Sequence, residues 1–92
     1  MGLYEIQWKE SAKKELKNLD KAIIKRLLAH INLLAENPRP VTCKKLQGID
    51  NFYRIRVADY RVVYSIEDDI LMVEIIRLGH RRKIYQNIGK LK

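Results

Sequence analysis

Between Phe52 and Arg77, three runs of alternating apolar and polar residues follow one another with almost nothing between them. The runs are about Phe52–Val57, Tyr60–Ile66 and Ile70–Arg77, and the gaps are Ala58-Asp59 and Glu67-Asp68-Asp69. A parallel crossover needs about a dozen residues, so these strands can pair only as an antiparallel meander. The short gaps also set the register. A turn centred on Ala58-Asp59 places Val57 opposite Tyr60 and Arg56 opposite Arg61. Tyr53, Ile55, Val57, Tyr60, Val62, Tyr64 and Ile66 then share one apolar face that must be covered. Arg54, Arg56, Arg61 and Val63 share the other. With the next turn at Asp68-Asp69, Leu71, Val73 and Ile75 extend the core face. Met72, Glu74 and Ile76 extend the arginine face.

The cover for the apolar face comes earlier in the chain. Tyr4, Ile6 and Trp8 alternate with Glu5 and Gln7 and predict a short strand. Ala12, Leu16 and Leu19 have helical spacing, with Ser11 as the expected N-cap and Lys13, Lys14 and Lys17 on the outer side. After a break at Asn18–Lys21, with Asp20 as N-cap, a second helix carries Ile24, Leu27, Leu28, Ile31, Leu34 and Ala35 in one stripe. Asn37-Pro38-Arg39-Pro40 ends it. The join between the helices is short enough to demand an antiparallel hairpin. Val41–Asp50 reads as a loop with Gly48 at its turn. The expected architecture is α+β in the order β-α-α-β-β-β, one domain over residues 1–92, with a short C-terminal tail.

Charge separates the two sheet faces functionally. The chain holds 19 Lys and Arg against 11 Asp and Glu, a formal net charge of +8 over 92 residues. Such an excess suits a polyanionic partner. Adjacent arginines on one sheet face repel, and either an acid (Glu74 is the best placed) or a bound polyanion must offset this. No acidic residue follows Glu74, whereas Arg77, Arg81, Arg82, Lys83, Lys90 and Lys92 do. His80-Arg81 is expected just past the last strand, hanging over the arginine face, with Tyr85 available to stack on a base. Cys43 stands alone, so no intrachain disulfide can form; neither a metal site nor a small-molecule cofactor is expected. No apolar run reaches the roughly 20 residues of a membrane span. The N-terminus lacks a secretion signal and a myristoylation motif, which leads to the expectation of a cytoplasmic protein without membrane contact. His30 falls on the second helix, away from the arginines.

Three blocks carry a family likeness: Lys45-Leu46-Gln47-Gly48, then Phe52-Tyr53-Arg54-Ile55-Arg56-Val57-Ala58-Asp59-Tyr60-Arg61-Val62-Val63-Tyr64, then Arg77-Leu78-Gly79-His80-Arg81-Arg82-Lys83-Ile84-Tyr85. Together they resemble the RelE/ParE superfamily of toxins, and the likeness covers nearly the whole chain. RelE-type members cut messenger RNA in the ribosomal A site; ParE-type members poison DNA gyrase. The resemblance implies catalytic roles for Arg54, Arg56, Arg61, Arg81 and Tyr85. It implies RNA-binding roles for Lys45, His80, Arg82 and Lys83. It also implies a cognate antitoxin, which should be acidic and flexible, with the ribosome and messenger RNA as the other partners. Three departures are visible, one of them His80, which stands where some relatives have lysine. The best-known RelE-type enzymes carry lysine where this chain has Arg54 and Arg56, and Gln47 stands where some members are basic.

The implied reaction is attack of a ribose 2′-hydroxyl on the adjacent phosphate. Clustered guanidiniums can stabilise the dianionic phosphorane. They exchange protons poorly, with pKa values above about 12, so proton transfer is sought in His80, Tyr85 or Glu74. The alternatives to an endoribonuclease are a gyrase inhibitor that acts by binding and a non-catalytic RNA-binding module.

Overall fold

The computed structural model describes residues 3–80. The elements run β1 (Glu5–Trp8), α1 (Glu10–Lys17), α2 (Lys21–Leu33), β2 (Lys44–Lys45), β3 (Phe52–Val57), β4 (Tyr60–Glu67), a one-turn 3-10 helix (Asp68–Ile70) and β5 (Met72–His80). All five strands join one sheet in the order β1-β5-β4-β3-β2. β3, β4 and β5 form the antiparallel meander, and β1 adds to the far edge of β5 in parallel. The expected C-terminal tail lies outside the described residues.

The core forms where the apolar faces of helices and sheet meet. Ala12 of α1 and Leu27 and Ile31 of α2 are fully buried, as are Val62, Tyr64, Val73 and Ile75 of the sheet. Each large aliphatic side chain so buried contributes about 1.5–3 kcal/mol. α1 lies against β5 and α2 against β3. The opposite face of the sheet is not wholly polar: Val63 and Ile76 are buried there with Leu46 and Phe52 packed beside them.

Polar contacts tie the seams together, from the buried Tyr64 to the exposed Asp68. The Tyr64 hydroxyl donates to the Pro38 carbonyl at 2.7 Å, tying the chain after α2 to the centre of the sheet. Arg39 binds Asp68 through both terminal nitrogens, at 3.3 and 2.9 Å, and stacks 5.1 Å above the Tyr53 ring. The Tyr4 hydroxyl donates to the same Asp68 at 2.6 Å. Glu15 accepts the Leu78 backbone N–H at 3.1 Å and a guanidinium N–H of Arg77 at 3.2 Å. It thereby satisfies the edge of β5 beyond the point where β1 ends.

Several expectations need correction. α1 begins at Glu10 with Lys9 in the cap position, so Ser11 is inside the helix. Val41–Asp50 is not all loop, because Lys44 and Lys45 pair with Arg54 and Tyr53. Ile70 belongs to the 3-10 turn, and Leu71 has φ 51° and is 40% exposed, so it does not extend the core. The last strand starts later, at Met72, and runs on to His80 rather than ending at Arg77. It also carries a β-bulge. Tyr64 faces Ile75 while Val63 faces Arg77, which leaves Ile76 as the extra residue.

Candidate functional site

The register of β3 and β4 is the one that the turn at Ala58-Asp59 requires. Arg54 faces Val63, Arg56 faces Arg61, and Val57 faces Tyr60. Arg54 and Arg56 are two residues apart on β3 and project to one side. Arg61 joins them from β4. The two-residue strand β2 lies along the free edge of β3 and sets Lys44 opposite Arg54. The result is an open cleft of about 590 Å³ lined by Val41, Thr42, Lys44, Arg54, Arg56, Ala58 and Arg61.

Among the described residues, no acidic side chain lines this cleft. Ion pairs among the described residues join Lys13 to Glu10, Arg39 to Asp68 and Arg77 to Glu15, and none of them involves Arg54, Arg56 or Arg61. Glu74, the acid expected to neutralise them, sits opposite Ser65 and is not among the lining groups. Arg56 donates from Nε to the Ala58 carbonyl at 3.3 Å, which folds its stem along the turn. Ala58 has φ 56°, a left-handed backbone that an L side chain adopts at a cost.

Arg61 is the most informative side chain. Its Nη1 is buried and has no hydrogen-bond partner among the described residues. Burying a cationic donor with nothing to receive its hydrogen bond costs more than almost any other polar defect. Gly79 faces Arg61 on β5 and brings no side chain to that row. Among the described residues, four cations converge on one hollow, and one of them is held partly out of water without a partner there. The hollow therefore suits an anion with several oxygens, such as a phosphodiester.

The structure distributes the sequence-derived candidates unequally. Arg54, Arg56 and Arg61 meet in the cleft. Lys45 does not; it pairs with Tyr53, a core-side residue, and its neighbour Lys44 takes the place beside the arginines. His80 is the last residue of β5, opposite Tyr60, with the two rings 5.9 Å apart edge to face. It therefore sits on the helix side rather than over the arginines. Arg81, Arg82, Lys83 and Tyr85 lie outside the described residues. Thr42, Val41 and Lys44 were not singled out by the sequence, since nothing in a stretch without alternation tells which side chain faces the sheet. A second hollow of about 340 Å³, between the end of α2 and β3, sets Leu33, Leu34, Pro40 and Ile55 beside His30, Glu36, Asn37 and Thr42 and gathers no cluster of cations.

Comparisons with known proteins agree on one group of relatives. Residues 6–85 match the family described as ParE toxin of type II toxin-antitoxin system, parDE. The chain is similar to a RelE-like toxin protein of Escherichia coli, with 32% identity over 82 residues that cover 87% of this chain and 85% of that protein. It is also similar to the mRNA interferase toxin RelE of Escherichia coli strain K12, with 29% identity over 82 residues, again 87% of this chain and 85% of that one. In three dimensions it is similar to the toxin fold in the archaeal RelE–RelB complex from Pyrococcus horikoshii. That match has a TM-score of 0.78 and 30% identity, and covers 88% of this chain and 98% of that one.

Proposed function

Because the chain belongs to the RelE/ParE superfamily of toxins from type II toxin–antitoxin systems, we propose that it is an endoribonuclease that cuts messenger RNA in the A site of the ribosome. The observation that carries this reading is the cleft of Lys44, Arg54, Arg56 and Arg61, with its buried, unpartnered guanidinium nitrogen. A gyrase inhibitor that acts by protein–protein contact has no need to hold such a nitrogen in readiness for an anion.

In this reading the phosphate at the cut site enters the cleft. The 2′-oxygen attacks phosphorus, negative charge grows on the non-bridging oxygens, and the guanidiniums of Arg54, Arg56 and Arg61 receive it. Donors held in place before charge develops stabilise the transition state more than the ground state. Arg81 and Tyr85 follow from the resemblance: one as a further phosphate cation, the other as a stacking or proton-transfer group. No base-reading pocket is present among the described residues that line the cleft, so the ribosome is assigned the task of presenting and splaying the message.

We assign it a cognate antitoxin as partner. The reading is supported by relatives solved as toxin–antitoxin complexes and by the charge of +8, which suits an acidic chain. The second reading, gyrase inhibition, is favoured by the name of the matching family model.

Primer extension on a defined message in a cell-free translation system separates the two. Endoribonuclease action gives cuts inside codons that appear only when ribosomes translate and that disappear with Arg61→Ala. Intact messages, together with loss of supercoiling activity of gyrase, would replace this reading with the second.

A further inference from the structure

Among the described residues, the cleft has an excess of positive charge and few groups suited to giving up a proton. Cleavage by a 2′-oxygen must expel a 5′-alkoxide, a strong base that departs readily only if it is protonated as the bond breaks. Guanidiniums stabilise charge but hold their protons too tightly to deliver them well. Three of the four cations here are guanidiniums, from Arg54, Arg56 and Arg61. The fourth, Lys44, is an ammonium. It is directly opposite Arg54 across the β2–β3 ladder and lines the same hollow as Arg56 and Arg61. His80, one of the expected proton carriers, sits beside Tyr60 on the other side of the sheet.

Resting on the endoribonuclease reading above, we infer that Lys44 is the general acid that protonates the 5′-oxygen leaving group. The 2′-oxygen, its proton passed to water, bonds to phosphorus. The bond from phosphorus to the 5′-oxygen breaks, and its electron pair remains on oxygen. That oxygen takes a proton from Nζ of Lys44, and the neutral amine regains one from solvent. The products are a 2′,3′-cyclic phosphate and a 5′-hydroxyl. The charged groups that line the hollow with Lys44 are Arg54 and Arg56 of β3 and Arg61 of β4. The adjacent Lys45 pairs with Tyr53 on the core side. Lys44 is exposed and forms no core contact, so its replacement leaves the fold intact.

The test is single-turnover cutting of a ribosome-bound message, with Lys44→Arg and Lys44→Met beside the unaltered protein. Each message is made with either oxygen or sulfur as the bridging 5′-atom at the cut. A thiolate leaves without protonation, so sulfur removes the need for an acid. On the oxygen message both variants are expected to lose about 100-fold or more in rate. On the sulfur message they should approach the rate of the unaltered protein, while Arg61→Met stays slow on both. If Lys44→Arg cuts the oxygen message at full rate, or if sulfur does not rescue Lys44→Met, Lys44 is not the acid. If the unaltered protein cuts neither message, the endoribonuclease reading itself fails.

Discussion

Replacing Arg61 with methionine should stabilise the protein while destroying its activity. The stem of Arg61 is preserved by methionine, and what disappears is a guanidinium whose Nη1 is buried without a partner. An unsatisfied buried polar group costs about 1–3 kcal/mol. Arg56 lies directly opposite on the same face, and a like-charge cross-strand pair adds roughly 0.2–1 kcal/mol. Arg61 as a whole is only half-buried, so part of the penalty is relieved by water, and the expected gain is about 1 kcal/mol. In a domain of this size that raises Tm by roughly 4–8 °C. Thermal unfolding at low salt measures it. Millimolar sulfate should raise the Tm of the unaltered protein and leave Arg61→Met nearly unmoved, because a bound anion supplies what the guanidinium lacks. A variant less stable than its parent, with sulfate acting equally on both, would refute the view that the cleft is strained towards an anion.

Three other outcomes follow from particular contacts. Asp68 is held below the usual carboxylate range, first by its hydrogen bonds from Arg39 and then by that from Tyr4. Its contribution is therefore full above the ordinary carboxylate pKa and fades as pH falls through the depressed one. Tm measured against pH should show Asp68→Asn below the parent at neutrality and level with it in strong acid; a gap that widens in acid contradicts this. Tyr64→Phe removes the buried bond to the Pro38 carbonyl and should cost about 1–3 kcal/mol by urea unfolding, with no change in m-value. Ala58→Gly relieves the left-handed backbone at φ 56° and should stabilise by about 0.5–1 kcal/mol; a loss of Tm would show that the turn draws on the alanine methyl.

The fold was legible where spacing alone determines geometry. Ala58-Asp59 leaves β3 and β4 only one register, so the shared face of Arg54, Arg56 and Arg61 could be read before any coordinates. The bulge at Ile76 was not legible, because Ile75 and Ile76 are both apolar and alternation cannot say which is the extra residue. That one residue reverses the parity of everything after it. Leu78 returns to the core, Gly79 comes to lie opposite Arg61, and His80 goes to the helix side. The misplacement of His80 has two causes: this bulge, and a last strand that runs on to His80 instead of ending at Arg77. Lys44 and Lys45 were ambiguous for a related reason, since two like residues in a two-residue strand offer no pattern. β1 was legible as a strand, but its place beside β5 depends on tertiary packing that the local sequence does not encode.

In the proposed function, the arginine cleft receives the phosphate at which a message is cut. The most direct measurement is the cutting of a ribosome-bound message by the unaltered protein and by Arg61→Met, with the new ends identified chemically. The expected result is a 2′,3′-cyclic phosphate and a 5′-hydroxyl from the unaltered protein, and an intact message from a variant that is nevertheless fully folded. An uncut message in the first case, or equal cutting by the folded variant, would contradict it.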